Sequence, residues 1–128
     1  MAQMALPHPL PTEVAQSVAD RFRLLGDPTR LRLVDLLRDG ERTVGALSGD
    51  LGCTQANTSK QLAMLAEGGV LLRRRDGLRC YYSIADDAVF TICDAVCESL
   101  RQHLDRRAGA LRAPADQSRE RSDSTSAT

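Results

Sequence analysis

Polar side chains between positions 54 and 61 form the first group in this sequence whose types and spacing could do chemistry. The group consists of Thr54, Gln55, Asn57, Thr58, Ser59, Lys60 and Gln61. Gln and Asn side chains can each form two hydrogen bonds with adenine, and Ser and Lys suit phosphate oxygens. A solvated helix face would also explain the polarity, but it would not explain why Asp and Glu are missing from the run. The composition therefore favours a surface that contacts DNA in the major groove.

Arginine side chains cluster a short distance further along the chain. They are Arg73, Arg74, Arg75 and Arg79. Guanidinium groups on a short loop suit the phosphate backbone or an adjacent minor groove. The alternative is a charged edge that prevents sheet aggregation, although such edges usually mix signs and this one has a single acidic residue. Because the formal net charge of the whole chain is 0, the local excess of arginine is what indicates nucleic acid.

Two of the four cysteines are spaced for a shared site. Cys93 and Cys97 stand four residues apart, which would place both sulfur atoms on one face of a helix. Such a pair could bind arsenite or another soft metal ion, or react with oxidants or reactive sulfur species. Cys53 adjoins the polar run, where its modification would disturb DNA contact. The alternative for each thiol is packing as a small apolar group, which we expect for Cys80.

The elements that must position these residues follow from apolar periodicity and from helix-capping residues. These signals predict helices over about 12–25, 28–38, 43–51, 54–67 and 88–105, and strands over about 70–74 and 79–84. Asp76-Gly77 between the strands is typical of a tight hairpin turn. The polar run thus falls at the start of the fourth helix, and the arginines fall on the hairpin that follows it.

This order of elements predicts a mainly α protein with a small β-hairpin, arranged α-α-α-α-β-β-α. Two short helices followed by an arginine-rich hairpin are typical of a winged helix-turn-helix domain, which we expect over residues 12–107. Residues 1–11 contain three prolines and would form a flexible N-terminal arm. Residues 108–128 lack apolar periodicity and would form a disordered C-terminal tail.

Three segments in this order resemble the ArsR/SmtB family of bacterial winged-helix repressors. They run from Phe22 to Leu33, from Cys53 to Leu62 and from Gly69 to Ile84. The resemblance implies a homodimer whose first and last helices pack across a two-fold axis, so that residues 12–107 would both bind DNA and dimerise. It also implies an inverted-repeat operator, because a two-fold dimer places two reading helices about one DNA turn apart. An inducer would then release the DNA.

Metal sites known from this family are not matched by the residues present. Residues 43–48 correspond to a cysteine cluster that some relatives carry on the third helix, and they contain no thiol. Other relatives carry Asp and His ligands on the last helix, whereas the two histidines here are His8 and His103. We therefore expect no metal site of either kind, and no cofactor beyond possible arsenite or a soft metal ion at the cysteine thiols.

The expected function is that of a DNA-binding repressor that a thiol-reactive inducer releases from double-stranded DNA. An enzyme is not expected, because the sequence has no phosphate-binding glycine loop, no HExxH motif and no pair of carboxylates flanking a cleft. The alternative is a winged-helix module that binds proteins without touching DNA, since a fold does not fix a function. We expect a cytoplasmic protein, because no secretory signal or membrane-spanning run is found.

Overall fold

The computed structural model describes the backbone of residues 6–126 and the side chains of residues 6–110. Within that range the helices are α1 (Thr12–Leu25), α2 (Pro28–Leu36), α3 (Val44–Leu51), α4 (Gln55–Glu67) and α5 (Ala88–Ser126). The strands are β1 (Arg42–Thr43), β2 (Leu71–Asp76) and β3 (Arg79–Ile84), and a 3-10 turn (Leu37–Asp39) follows α2. This order confirms the predicted winged helix-turn-helix fold.

Side-chain caps fix the starting points of three consecutive helices. The Asp27 carboxylate accepts a hydrogen bond from the backbone N–H of Arg30 at 3.1 Å, and α2 then starts with Pro28. Thr43 caps α3 and Thr54 caps α4 in the same way, each with a donor–acceptor distance of 3.1 Å. Each cap satisfies an amide that the first helical turn leaves without a partner, and is worth about 1 kcal/mol.

The strands form one antiparallel sheet in the order β1-β3-β2. The hairpin pairs Asp76 with Arg79 at its tip, and Gly77 adopts a φ of +64° there, which favours glycine. The third strand, β1, pairs Arg42 with Tyr82 and was not expected from the sequence. Two residues are too few to show the alternation of apolar and polar residues by which strands are predicted. The sequence therefore predicted only the hairpin strands.

The hydrophobic core of the first 86 residues consists mainly of leucines from α2, α3 and α4. Buried members include Leu33, Val34, Leu37, Leu47, Leu51, Leu62, Leu65, Val70, Leu71 and Tyr82. Each buried Leu contributes about 1.5–3 kcal/mol relative to an exposed one. Because Leu62 and Leu65 turn one face of α4 into this core, the opposite face of that helix must point to solvent.

The chain divides into two compact units, and α5 begins at the start of the second. α5 continues to Ser126, well past position 108, where the disordered tail was expected to begin. Good helix formers such as Ala108 and Ala110 stand at the start of the expected tail, and their propensity favours continuation of the helix. Residues 6–11 of the expected arm precede α1, while residues 1–5 and 127–128 lie outside the described range. No helix in that range is long and apolar enough to cross a bilayer.

Thr58 is the one residue of the polar run that the fold turns inward. Its exposed fraction is 0%, so the prediction that Thr58 contacts DNA is wrong. It lies four residues before Leu62 and therefore on the buried face of α4. Its hydroxyl Oγ1 is buried with no hydrogen-bond partner among the described residues, which costs free energy.

Replacing Thr58 with Val should raise the free energy of unfolding by about 1 kcal/mol. Valine has nearly the same shape but no hydroxyl, so the buried polar atom without a partner disappears. Denaturant unfolding followed by circular dichroism would measure the change. Thr54→Val is the matched control, because it removes the α4 cap and should lower stability by about the same amount. A loss of stability in Thr58→Val would show that its hydroxyl is hydrogen-bonded.

Candidate nucleic-acid interface

The turn between α3 and α4 is held by hydrogen bonds that fix where α4 begins. Gly52 ends α3 in the left-handed region with a φ of +70°. Ser48 Oγ then donates to the carbonyl oxygen of Cys53 at 2.6 Å, and the Cys53 N–H donates to the carbonyl of Ser48 at 3.2 Å. These two bonds hold the chain between α3 and α4, so that α4 starts in a defined direction.

The first two turns of α4 present a polar surface to solvent. Gln55, Asn57, Ser59 and Lys60 are all exposed, as predicted, and Thr54 is exposed while its hydroxyl caps the helix. No acidic residue lies in this part of α4, and the first amides of a helix carry partial positive charge. The surface therefore combines hydrogen-bonding side chains with a weakly positive field, which is suited to base edges and phosphates.

Gln61 differs from the other residues of the run, because its side chain is occupied within the protein. Arg30 Nη1 donates to Gln61 Oε1 at 2.8 Å, and Arg30 Nε donates to the carbonyl oxygen of Leu24 at 2.6 Å. Arg30 thus ties the C-terminal end of α1 to α4, and half-buried Gln61 positions the helix. The sequence gives no local signal for this contact, since Arg30 and Gln61 lie 31 residues apart.

The four arginines of the hairpin do not share one environment. Arg73, Arg75 and Arg79 are exposed, and no hydrogen bond or ion pair to another described side chain is found for them. Arg74 instead donates two hydrogen bonds to the Glu41 carboxylate, at 2.9 and 2.8 Å. Its guanidinium carbon also lies 4.4 Å from the centre of the Tyr81 ring. Arg74 is therefore held on the sheet, although its side chain is still 53% exposed, and its contact with DNA stays a prediction.

Glu41, Tyr81 and Arg74 form a cluster that spans all three strands. Glu41 directly precedes β1, Tyr81 is on the central strand β3, and Arg74 is on β2. The two hydrogen bonds from Arg74 hold the pKa of the Glu41 carboxyl below its ordinary value. The charge pair thus braces the hairpin against the rest of the sheet.

An open cavity of about 530 Å³ lies between the hairpin and the starts of α3 and α4. Residues 43–45 and 78–80 line it, together with Gln55, Ala56 and Ser59 of α4. Cys80, which we expected to pack, is half-buried on its wall. The polar face of α4 and the arginine-bearing hairpin therefore border one shared concave surface.

The other three cysteines do not line this cavity. Cys53 is half-buried in the α3–α4 turn, where its thiol donates a long hydrogen bond of 3.9 Å to the carbonyl of Leu51. On α5, Cys93 is half-buried and Cys97 is exposed. Among the described residues, no three His, Cys, Asp or Glu side chains lie close enough together to hold a metal ion.

Replacing Glu41 with Gln should lower the Tm at neutral pH, because Arg74 loses its charged partner. The pKa of Glu41 is lower in the folded than in the unfolded chain. The pair with Arg74 therefore stabilises the fold at neutral pH, and this stabilisation is lost as the pH falls through the lowered pKa. The difference in Tm between the wild-type protein and Glu41→Gln should therefore vanish in acid. Differential scanning calorimetry over a pH series would measure it, and a difference that does not change with pH would contradict the pairing.

Comparison with known proteins identifies relatives of this arrangement. A family model described as a helix-turn-helix domain matches residues 25–74. An uncharacterised transcriptional regulator of Mycobacterium tuberculosis, Rv0081, is 36% identical over 94 residues, which cover 73% of this chain and 82% of that protein. A transcriptional repressor SmtB homolog from Synechocystis is 32% identical over 96 residues, covering 75% of this chain and 73% of the homolog.

Solved structures agree with these sequence relatives. The crystal structure of Rv0081 matches with a TM-score of 0.69 and 32% identity, covering 77% of this chain and 99% of that one. A second match is the solution structure of a homodimeric winged helix-turn-helix domain from Mycobacterium bovis, a possible ArsR-family regulator. Its TM-score is 0.66 at 33% identity, and the match covers 79% of this chain and 94% of that one. These relatives are regulators of transcription and not enzymes. The chain belongs to the ArsR/SmtB family of winged-helix transcriptional repressors.

Proposed function

We propose that this protein represses transcription as a homodimer bound to an inverted-repeat operator, and that a thiol-reactive inducer releases it. The observation that carries the DNA contact is the exposed start of α4 beside the hairpin arginines. Gln55 and Asn57 would contact base edges in the major groove, while Ser59 and Lys60 would contact phosphates. Arg73, Arg75 and Arg79 would add phosphate or minor-groove contacts, since their side chains are exposed.

Exposed apolar surface on two helices supports the homodimer. On α1, Val18 and Phe22 stand four residues apart and are 38% and 54% exposed. On α5, Val96, Leu100 and Leu104 form an exposed stripe with the same spacing. Burying such stripes against a second copy removes apolar area from water, and the Mycobacterium bovis relative is homodimeric. A two-fold dimer would place its two copies of α4 about 34–36 Å apart, one turn of DNA.

The inducer would act at the cysteines of α5 rather than at Cys53, which is half-buried in the α3–α4 turn. Cys97 is exposed and Cys93 is half-buried one helical turn before it, so a reagent in solution can reach the pair. Arsenite, a soft metal ion, reactive sulfur species and oxidants share a preference for thiols. Because α5 also carries the apolar stripe, modification there would alter the surface proposed for dimerisation. Cytoplasmic thiols stay reduced, which suits such a sensor.

A winged-helix module that binds only proteins is the second candidate. It would explain the exposed apolar stripes but not the absence of acidic residues from the first turns of α4. Nor would it explain three exposed arginines around one hairpin tip, where charge of one sign favours a polyanion. We therefore favour DNA as the partner.

Arg75→Gln should weaken binding to all duplexes, because one phosphate contact is lost. In a plot of the logarithm of the association constant against the logarithm of the salt concentration, the slope should become less steep by about 1. Gln55→Ala should instead leave that slope unchanged and reduce the preference for the operator over scrambled DNA. Fluorescence anisotropy over a salt series would measure both effects. A duplex with a single half-site serves as the control for the dimer, and should bind far more weakly.

Replacing both Cys93 and Cys97 with Ser should leave DNA affinity unchanged and abolish release by the inducer. The matched control is Cys53→Ser, which should still be released. Anisotropy of the DNA complex would be followed while arsenite, soft metal ions, persulfides and peroxide are added in separate titrations. If the double variant is released at the wild-type concentration of every reagent, the two thiols are structural and the proposed inducer site is wrong.

A further inference from the structure

Leu78 stands at the tip of the β2–β3 hairpin with its side chain entirely in solvent. Its exposed fraction is 101%, as for a side chain without neighbours. The left-handed φ of Gly77 turns the chain directly before it, so the leucine projects from the end of the hairpin. Single exposed apolar residues are common on protein surfaces. The surroundings of Leu78 must therefore show whether it has a partner.

Those surroundings connect Leu78 to the polar surface of α4. Leu78 and Arg79 line one side of the 530 Å³ cavity, which Gln55 and Ser59 of α4 also line. Arg75 and Arg79 lie on either side of the hairpin tip and are exposed. An apolar tip flanked by cations is complementary to a surface that is itself apolar inside and anionic at its rims. A DNA groove at a partly unstacked base step has this character, because the opened base faces are apolar and phosphate backbones line both rims.

The chemistry of the cavity suits a single sugar-phosphate strand. Both α3 and α4 begin at it, and the first amides of a helix lack intrahelical acceptors and favour phosphate. Ser59 adds a hydroxyl group and Arg79 adds a positive charge. In B-form DNA one backbone strand separates the major groove from the neighbouring minor groove. A DNA backbone held in the cavity would thus lie between the two grooves. α4 would contact the major groove on one side of it, and Leu78 the minor groove on the other.

We propose that Leu78 enters the minor groove as an apolar wedge and determines specificity there. This inference rests on the proposed function and adds a second site of sequence preference, outside the base pairs that α4 contacts. An apolar side chain in the minor groove partly unstacks a base step, and the amino group of guanine obstructs its entry. Leu78 therefore selects A·T pairs or easily unstacked steps, while Arg75 and Arg79 bind the phosphates on either side.

The test uses the full-length protein and the duplex that it selects from a random-sequence library. Each A·T pair outside the α4 site is replaced in turn by an I·C or a G·C pair. Inosine lacks the amino group that guanine places in the minor groove and otherwise resembles it, so a difference between the two duplexes reports minor-groove contact. At one or two adjacent positions, we expect the wild-type protein to bind the G·C duplex about tenfold more weakly than the I·C duplex.

Leu78→Ala should bind the I·C and G·C duplexes equally and the selected duplex about tenfold more weakly than the wild-type protein. Its salt dependence should not change, because no charge is removed. Leu72→Ala is the matched control, since Leu72 is 59% exposed on the same hairpin but does not line the cavity. It should retain wild-type discrimination.

Two results would overturn the inference in distinguishable ways. If Leu78→Ala keeps wild-type affinity and discrimination while the wild-type protein selects a duplex, the wedge is wrong and the proposed function stands. If the folded wild-type protein selects no duplex even at low salt, the proposed function fails and the wedge fails with it.

Discussion

One guanidinium group, that of Arg30, holds together the helices that set the direction of α4. It donates to a carbonyl at the C-terminal end of α1 and to the side chain of Gln61 on α4. The last carbonyls of a helix lack partners and carry partial negative charge, so a cation is stabilised there. The polar start of α4 and the hairpin opposite it depend on the position that Arg30 gives to the helix.

Local sequence signals predicted most of this fold, and contacts between distant residues account for what was missed. Residues within a few positions of each feature indicate the hairpin turn and the helix caps at Asp27, Thr43 and Thr54. Thr58 was assigned to the DNA surface although its spacing of four from Leu62 already placed it on the buried face. By contrast, Glu41 and Arg74 are 33 residues apart, and nothing near either residue indicates that they pair.

The pairing of Arg74 changes how the hairpin works. All four arginines were expected to contact DNA, and one of them also stabilises the sheet. Its contacts with Glu41 and Tyr81 join three strands, the first of which has only two residues and little stability of its own. A hairpin braced in this way loses less conformational freedom on binding than a loose loop would. The free energy from the contacts proposed for the exposed arginines would then not be spent on ordering the hairpin.

Zero net charge combined with an arginine-rich hairpin makes the chain an electric dipole rather than a cation. The field of a dipole falls off faster with distance than that of a net charge, and physiological salt screens it over about 8 Å. In the proposed complex, DNA would therefore attract the protein little from afar, and would turn the hairpin toward the duplex once the two surfaces are near. Such a field would orient the protein rather than speed its approach, so that salt would affect its final contacts with DNA more than its first encounter.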